Sequence, residues 1–155
     1  MPSLNPFGAA SASMSVTNPH LYSWLASCSI AFVSVLIAAR NEEHNLSECL
    51  ESVLNQSYDS GGFEVIVIND HSADGTEAIC QEFARRFDHF TYANAREDDA
   101  LKGKSNALNQ GIEKARGEII LITDADCSVP KTWVEWTAKR YSKSVGIVGG
   151  ITLQK

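Results

Sequence analysis

The chain has 155 residues, of which 44% are hydrophobic and 21% charged, and its formal net charge is −6. That length is one domain's worth, and that composition can bury a core without disulfides. The negative balance excludes a general nucleic-acid binder, which carries a basic face. It leaves room for a nucleotide held through a divalent cation.

Residues 1–31 read as a flexible leader, because residues 1–20 are rich in Ser, Ala, Asn and Pro without periodicity. Pro2, Asn5, Pro6 and Gly8 break any early apolar run and no basic stretch precedes it, so this is not the pattern of a signal peptide. Residues 21–39 carry no formal charge, yet Ser23, Ser27, Cys28, Ser29 and Ser34 dilute them. No membrane span is expected there, and Leu21 to Ile30 amounts to a weak interfacial segment at most.

From Phe32 onward, apolar runs alternate with helical patterns. Phe32 to Ala39 reads as a buried strand. Asn45 opens a helix with Glu48 as its capping-box partner, and Leu46, Cys49, Leu50, Val53 and Leu54 form the apolar face. Ser60-Gly61-Gly62 is a turn into a second strand, Phe63 to Ile68. Asp74-Gly75-Thr76 leads into a helix with Ile79, Phe83 and Phe87 inward, and a short strand follows at Phe90 to Ala93. Ser105 to Arg116 is a third helix, packed through Ala107, Leu108, Gly111, Ile112 and Ala115 and stopped by Gly117. Glu118 to Thr123 is a strand, Pro130 is the first residue of a fourth helix, and Val145 to Leu153 is a final strand broken by Gly149-Gly150. Cys28, Cys49, Cys80 and Cys127 make no C-x-x-C pair. Cys49 and Cys80 fall on apolar helix faces, the pattern of free core thiols in a reducing, cytosolic compartment.

Fully apolar strands alternating with helices predict an α/β fold, a mostly parallel sheet with helices on both faces. Ligands of such sheets bind at the carboxyl ends of the strands. The polar clusters of the chain lie there.

Asp124-Ala125-Asp126 follows the last isoleucine-rich strand. Two carboxylates one residue apart offer the oxygen ligands that Mg²⁺ or Mn²⁺ prefers. An isolated D-x-D is more often a turn or cap, but its place after a buried strand favours the metal. In Asn69 to Thr76, Asp70 can accept a hydrogen bond from a base N–H. Ser72 and Asp74 shape the turn and cap the helix, and His71 is a hydrogen-bonding neighbour rather than a general base. In Arg40-Asn41-Glu42-Glu43, Arg40 and Glu42 face a ligand while Glu43 complements the helix dipole. Lys102-Gly103-Lys104 resembles the tail of a P-loop, but Asp98 stands where that motif needs glycine. What remains is a lysine at a helix N-terminus, close to a diphosphate. The chain has no G-x-G-x-x-G and no G-x-S-x-G, so a nicotinamide or flavin site and a hydrolase elbow lack their main support.

Val33 to Glu43, Val67 to Thr76, Gly103 to Asn109 and Asp124 to Asp126, in that order, resemble family 2 glycosyltransferases of the GT-A fold. The resemblance covers residues 32–155. It implies a Rossmann-like GT-A half-domain, the nucleotide-sugar-binding part of a glycosyltransferase, ending before the acceptor half. Arg40, Asn41, Glu42, Asn69, Asp70, Lys104 and Asp124 would bind a UDP- or GDP-linked sugar, and Asp126 with Asp124 would hold Mn²⁺ or Mg²⁺. Asn69 stands where the family often has an aspartate, which leaves the identity of the base open. The family generally inverts the anomeric centre by direct displacement, and the carboxylate base is expected beyond Lys155. The acceptor would be a cell-envelope polysaccharide, a lipid or a glycan. Membrane association at the cytoplasmic face would come from a part outside this chain. The rival readings are a non-catalytic nucleotide-binding remnant or regulatory module and a nucleotidyltransferase. The second is disfavoured by the lack of a Gly/Arg-rich loop after the first strand.

Overall fold

Valine and isoleucine runs build the sheet, since β-branched side chains pack well on a pleated surface. The structure, a computed structural model, describes residues 31–59, 61–98, 100–141 and 145–150. The strands are β1 (Val33–Ala39), β2 (Phe63–Asn69), β3 (Phe90–Asn94) and β4 (Ile119–Asp124). All pair in parallel, in the order β3-β2-β1-β4. The first three strands step outward in one direction, and β4 returns to the other side of β1. Strand order therefore reverses between β1 and β4, where doubly wound sheets open a crevice. The register aligns Ala39 with Asn69 and Asn69 with Asn94, and pairs Ala38 with Asp124, so the polar residues come off the sheet at one edge.

The helices are α1 (Leu46–Leu54), α2 (Thr76–Arg86), α3 (Gly103–Lys114) and α4 (Trp133–Ala138). Alternation along each strand sends side chains to opposite faces. Val33, Val35, Ile37 and Ala39 pack with Leu46, Leu50 and Val53 of α1, Phe83 of α2 and Val134 of α4. Leu36, Ile66 and Ile68 face Ala107 of α3. Helices cover both faces of a parallel sheet, as the apolar strands predict.

Several local expectations differ. The Asn45 N–H bonds the Glu42 carbonyl (3.1 Å), and so does Leu46 N–H (2.9 Å). Glu42 thus closes the first turn of α1, and the capping box with Glu48 does not form. Helix α3 starts at Gly103, and its buried line is Asn106, Ala107, Gln110 and Gly111. Ile112 lies about 100° around the helix from Gly111 and is 50% exposed rather than in the core. Pro130 is not the first residue of α4; its carbonyl accepts the Trp133 N–H (2.9 Å) in the turn before the helix. Residues 145–150 form no strand, and residues 151–153 of the expected last strand lie outside the described residues, as do the interfacial segment and all of the leader except Ala31. No helix among the described residues is long and apolar enough to cross a membrane.

Candidate functional site

The loops after β1 and β2 turn alike. Asn41 and His71 both take the left-handed conformation at φ 56, which costs a non-glycine residue about 1 kcal/mol and is best tolerated by short polar side chains. Hydrogen bonds between the loops offset that cost. Asn41 N–H donates to Ser72 Oγ (2.9 Å), and Ala73 N–H donates to Asn41 Oδ1 (2.8 Å). Glu42 N–H reaches Thr76 Oγ1 (2.8 Å), Glu43 N–H reaches Asp74 Oδ2 (3.1 Å), and Gly75 N–H reaches Glu43 Oε2 (2.8 Å). Asp74 also accepts from the Thr76 side chain and N–H, and these bonds hold its carboxyl below the usual carboxylate range. The two loops behave as one braced body.

Beside that body, where strand order reverses, lies a cavity of about 330 Å³, the size of a small-molecule site. Ala38 and Ala39 of β1 form its floor. The first loop contributes Arg40 and Glu42, the second Asp70, the N-terminus of α3 Gly103 and Lys104, and the end of β4 Asp124, Ala125 and Asp126. Asp70 is only 5% exposed. It lies 3.6 Å from Arg40 Nη1 and 3.1 Å from His71 Nδ1, and its N–H is tied to the Ala39 carbonyl (2.8 Å). Gly103 sits at φ +55, which lets the chain turn into α3 close to Asp70. Lys104 makes an ion pair with Asp124 Oδ1.

Of the residues singled out from sequence, Arg40, Glu42, Asp70, Lys104, Asp124 and Asp126 converge on this cavity. Asn41 and Asn69 do not line it. Asn41 braces the loops, and Asn69, 3% exposed, donates to Asn94 Oδ1 (2.8 Å) and accepts from the Ser72 N–H (3.3 Å). His71 bridges Asp70 and, through Nε2, Glu97 Oε1 (3.3 Å). Sequence reasoning missed Ala125 and Cys127; the cysteine's place directly after D-x-D was the available signal. Asp124, Asp126 and Cys127 bring potential ligand atoms within 4.8 Å of one another. Under them, the buried Cys49 thiol donates to the Asp124 carbonyl (3.4 Å). Burial, and then the nearby Cys127, Asp126, Glu42 and Asp124 charges, push its pKa up to about 12.

The donor chemistry fits a hard divalent cation, with two carboxylates at a strand end opposite a lysine. Arg40 and Lys104 add cationic groups suited to phosphate, and Asp70 adds a buried acceptor.

The family model described as glycosyl transferase family 2 matches residues 34–154. The glycosyltransferase AglE of Haloferax volcanii is 35% identical over 122 residues, 78% of this chain and 39% of that protein. A beta-monoglucosyldiacylglycerol synthase of Trichormus variabilis is 41% identical over 101 residues, 65% of this chain and 21% of that protein. Among solved structures, the mannosyltransferase PcManGT from Pyrobaculum calidifontis, in complex with GDP-Man and Mn²⁺, superposes with a TM-score of 0.60 at 30% identity, covering 70% of this chain and 32% of that one. TarS 1–349 of S. aureus, in complex with UDP-GlcNAc, gives a TM-score of 0.60 at 26% identity, covering 70% of this chain and 30% of that one. The chain therefore spans well under half the length of these relatives, and it shares their Rossmann-like GT-A architecture of a parallel sheet flanked by helices.

Proposed function

The chain belongs to glycosyl transferase family 2, and from that premise we propose that residues 32–155 bind a nucleoside diphosphate sugar and hold it for transfer to an acceptor. The observation that carries this reading is the meeting of Lys104, Asp124 and Asp126 with Arg40, Glu42 and Asp70 in one cavity at the strand-order switch. Asp70 accepts from the base, and Arg40 and Glu42 grip the base or ribose. Lys104 and the N-terminus of α3 face the diphosphate. Asp126, helped by Asp124, holds Mn²⁺ or Mg²⁺. When bound, such a cation neutralises charge on the diphosphate leaving group. The GDP-Man and Mn²⁺ of PcManGT and the UDP-GlcNAc of TarS support a UDP- or GDP-linked donor and a divalent metal.

Transfer itself is proposed as an inverting displacement in which a carboxylate outside residues 32–155 serves as base. Acceptor binding and any membrane contact are assigned to that further part. The chain's coverage of less than two fifths of AglE supports this division. Thermal unfolding of the chain with UDP or GDP, each with and without Mn²⁺, tests the reading. A rise in Tm that needs both nucleotide and metal supports it. No rise with either nucleotide sinks it, and release of pyrophosphate from a nucleoside triphosphate would favour a nucleotidyltransferase.

A further inference from the structure

His71 stands between the cavity and the segment that follows β3. Its Nδ1 lies 3.1 Å from Asp70 Oδ1, and its Nε2 lies 3.3 Å from Glu97 Oε1. Asp70 is thereby held by one oxygen. Its other oxygen, Oδ2, lies 3.6 Å from Arg40 Nη1 and faces Gly103, and both of those residues line the cavity. The ring settles which carboxylate oxygen is presented to a ligand.

Glu97 is in turn tied to α3. The residue before it, Arg96, donates its N–H to Gln110 Oε1 (2.9 Å), and its carbonyl accepts from Asn106 Nδ2 (2.7 Å) and Gln110 Nε2 (2.8 Å). Asn106 and Gln110 are 4% and 6% exposed, so water does not compete for these bonds and the backbone at Arg96 moves with α3. A chain of contacts therefore runs from Asp70 through His71 and Glu97 to the helix that carries Gly103 and Lys104. Its two ends are the groups proposed to meet the base and the diphosphate.

His71 also holds the left-handed turn at φ 56, but asparagine serves such a turn at least as well. Turning the chain needs no imidazole; spanning from Asp70 to Glu97 does. The His71 and Glu97 side chains are 46% and 80% exposed, so their contact adds little to folding. Its effect falls on the ligand.

We propose that His71 is a positioning residue for donor binding: with Glu97, it fixes the Asp70 carboxylate relative to the N-terminus of α3, so that the base and the diphosphate of one nucleotide meet their partners together. The inference rests on the proposed donor site. Groups ordered in advance raise affinity because binding no longer has to order them.

The test has two parts, both on the full chain. Without ligand, the imidazole nitrogen-15 signal of His71 Nε2 should move on Glu97→Ala, and an unmoved signal overturns the proposal. Calorimetry with UDP and GDP in the presence of Mn²⁺ then compares wild type with His71→Asn, Glu97→Ala, Glu97→Gln and the double variant carrying His71→Asn and Glu97→Ala. Circular dichroism and the unfolding midpoint verify that each is folded. His71→Asn and Glu97→Ala should each weaken nucleotide binding by about fivefold, and the double variant should bind no more weakly than either, because both changes cut the same link. Glu97→Gln keeps an oxygen that accepts from the ring and should stay within about twofold of wild type. A purely structural role in the turn would leave His71→Asn at wild-type affinity. That result overturns the proposal, as do losses that add in the double variant or a Glu97→Gln as weak as Glu97→Ala. Nucleotide binding that the variants leave unchanged removes the positioning role alone. Wild type that binds neither nucleotide, while the His71 signal does move, removes the donor-site reading and the positioning role with it.

Discussion

Lys104, on the first turn of α3, sets its ammonium on the carboxylate of Asp124 at the end of β4. Both side chains are more than half exposed, at 57% and 53%, so the pair contributes little to folding, on the order of 0–1 kcal/mol. Its significance lies in where it is: a cation already rests on a carboxylate proposed to hold the metal, and both residues line the cavity proposed for the nucleotide. Lys104→Ala should leave the urea unfolding free energy within about 0.5 kcal/mol of wild type. It should weaken UDP or GDP binding by about tenfold, or ~1.4 kcal/mol. Calorimetry on the folded variant decides, and unchanged affinity would remove Lys104 from the diphosphate.

Asn41 does two jobs, holding φ 56 and bridging to the second loop through its side chain and N–H. Asn41→Gly keeps the backbone and loses the side-chain bond, whereas Asn41→Ala loses both. The alanine variant should be less stable than the glycine variant by roughly 1 kcal/mol, the reverse of the usual order. Chemical denaturation of the pair measures this, and an alanine variant as stable as the glycine one would contradict the left-handed assignment.

Gly117 admits no side chain. A Cβ there would stand 2.4 Å from Ser34 N and 2.7 Å from Ser34 Oγ. The Gly117 N–H also donates to that hydroxyl (2.8 Å). The neighbour is strand backbone and cannot move aside, so Gly117→Ala should cost about 3 kcal/mol, read as a lower denaturant midpoint. A loss under about 0.5 kcal/mol would contradict the packing of β4 against β1.

Glu64, 5% exposed on β2, lies at the opposite end of the sheet from the cavity. Burial alone would raise its pKa. The Arg116 N–H (2.8 Å), the Ser34 hydroxyl (2.7 Å) and the Arg116 guanidinium (2.9 Å to Nε) outweigh burial and hold it below the usual carboxylate range. A pKa lowered on folding adds stability that is fully present above the unfolded value and is lost as pH falls through the folded one. Glu64→Gln should therefore be less stable than wild type by about 1–3 kcal/mol at neutral pH. The gap should narrow at low pH, below the usual carboxylate range, as the wild-type carboxylate protonates. Unfolding curves at both pH values check this, and a gap that does not change with pH would contradict the account.

The strands and site-bearing loops were legible because a buried parallel strand demands an unbroken apolar run. In Phe63–Asn69 every position is buried; Val65 to Ile68 form its apolar centre, and the polar Glu64 and Asn69 stand toward its two ends, each with hydrogen-bond partners. Asn41 and Asn69 were harder to read. A side-chain amide both donates and accepts, so the same residue can contact a ligand or brace a loop, and spacing does not distinguish the two. Glu42 took over the first turn of α1 because the chain bends back there before the helix begins, a tertiary effect that the Asn45–Glu48 spacing does not reveal. Ile112 misled because helical period alone does not say how wide the buried stripe is. On α3 it is narrow, and Gly111 brings the helix close to Leu36 and Ile68.

The most direct test of the central claim is calorimetric titration of UDP and GDP into wild type and Asp126→Asn, with and without Mn²⁺. Asp126 is exposed on the turn after β4, so the variant should keep the circular dichroism spectrum of the fold. The account predicts that wild type binds one of the two nucleotides and needs Mn²⁺ to do so. It predicts that Asp126→Asn loses the metal-dependent part, at least about tenfold in affinity. Wild type and Asp126→Asn binding alike, or wild type binding equally well without metal, would contradict a metal-assisted donor site at this strand end.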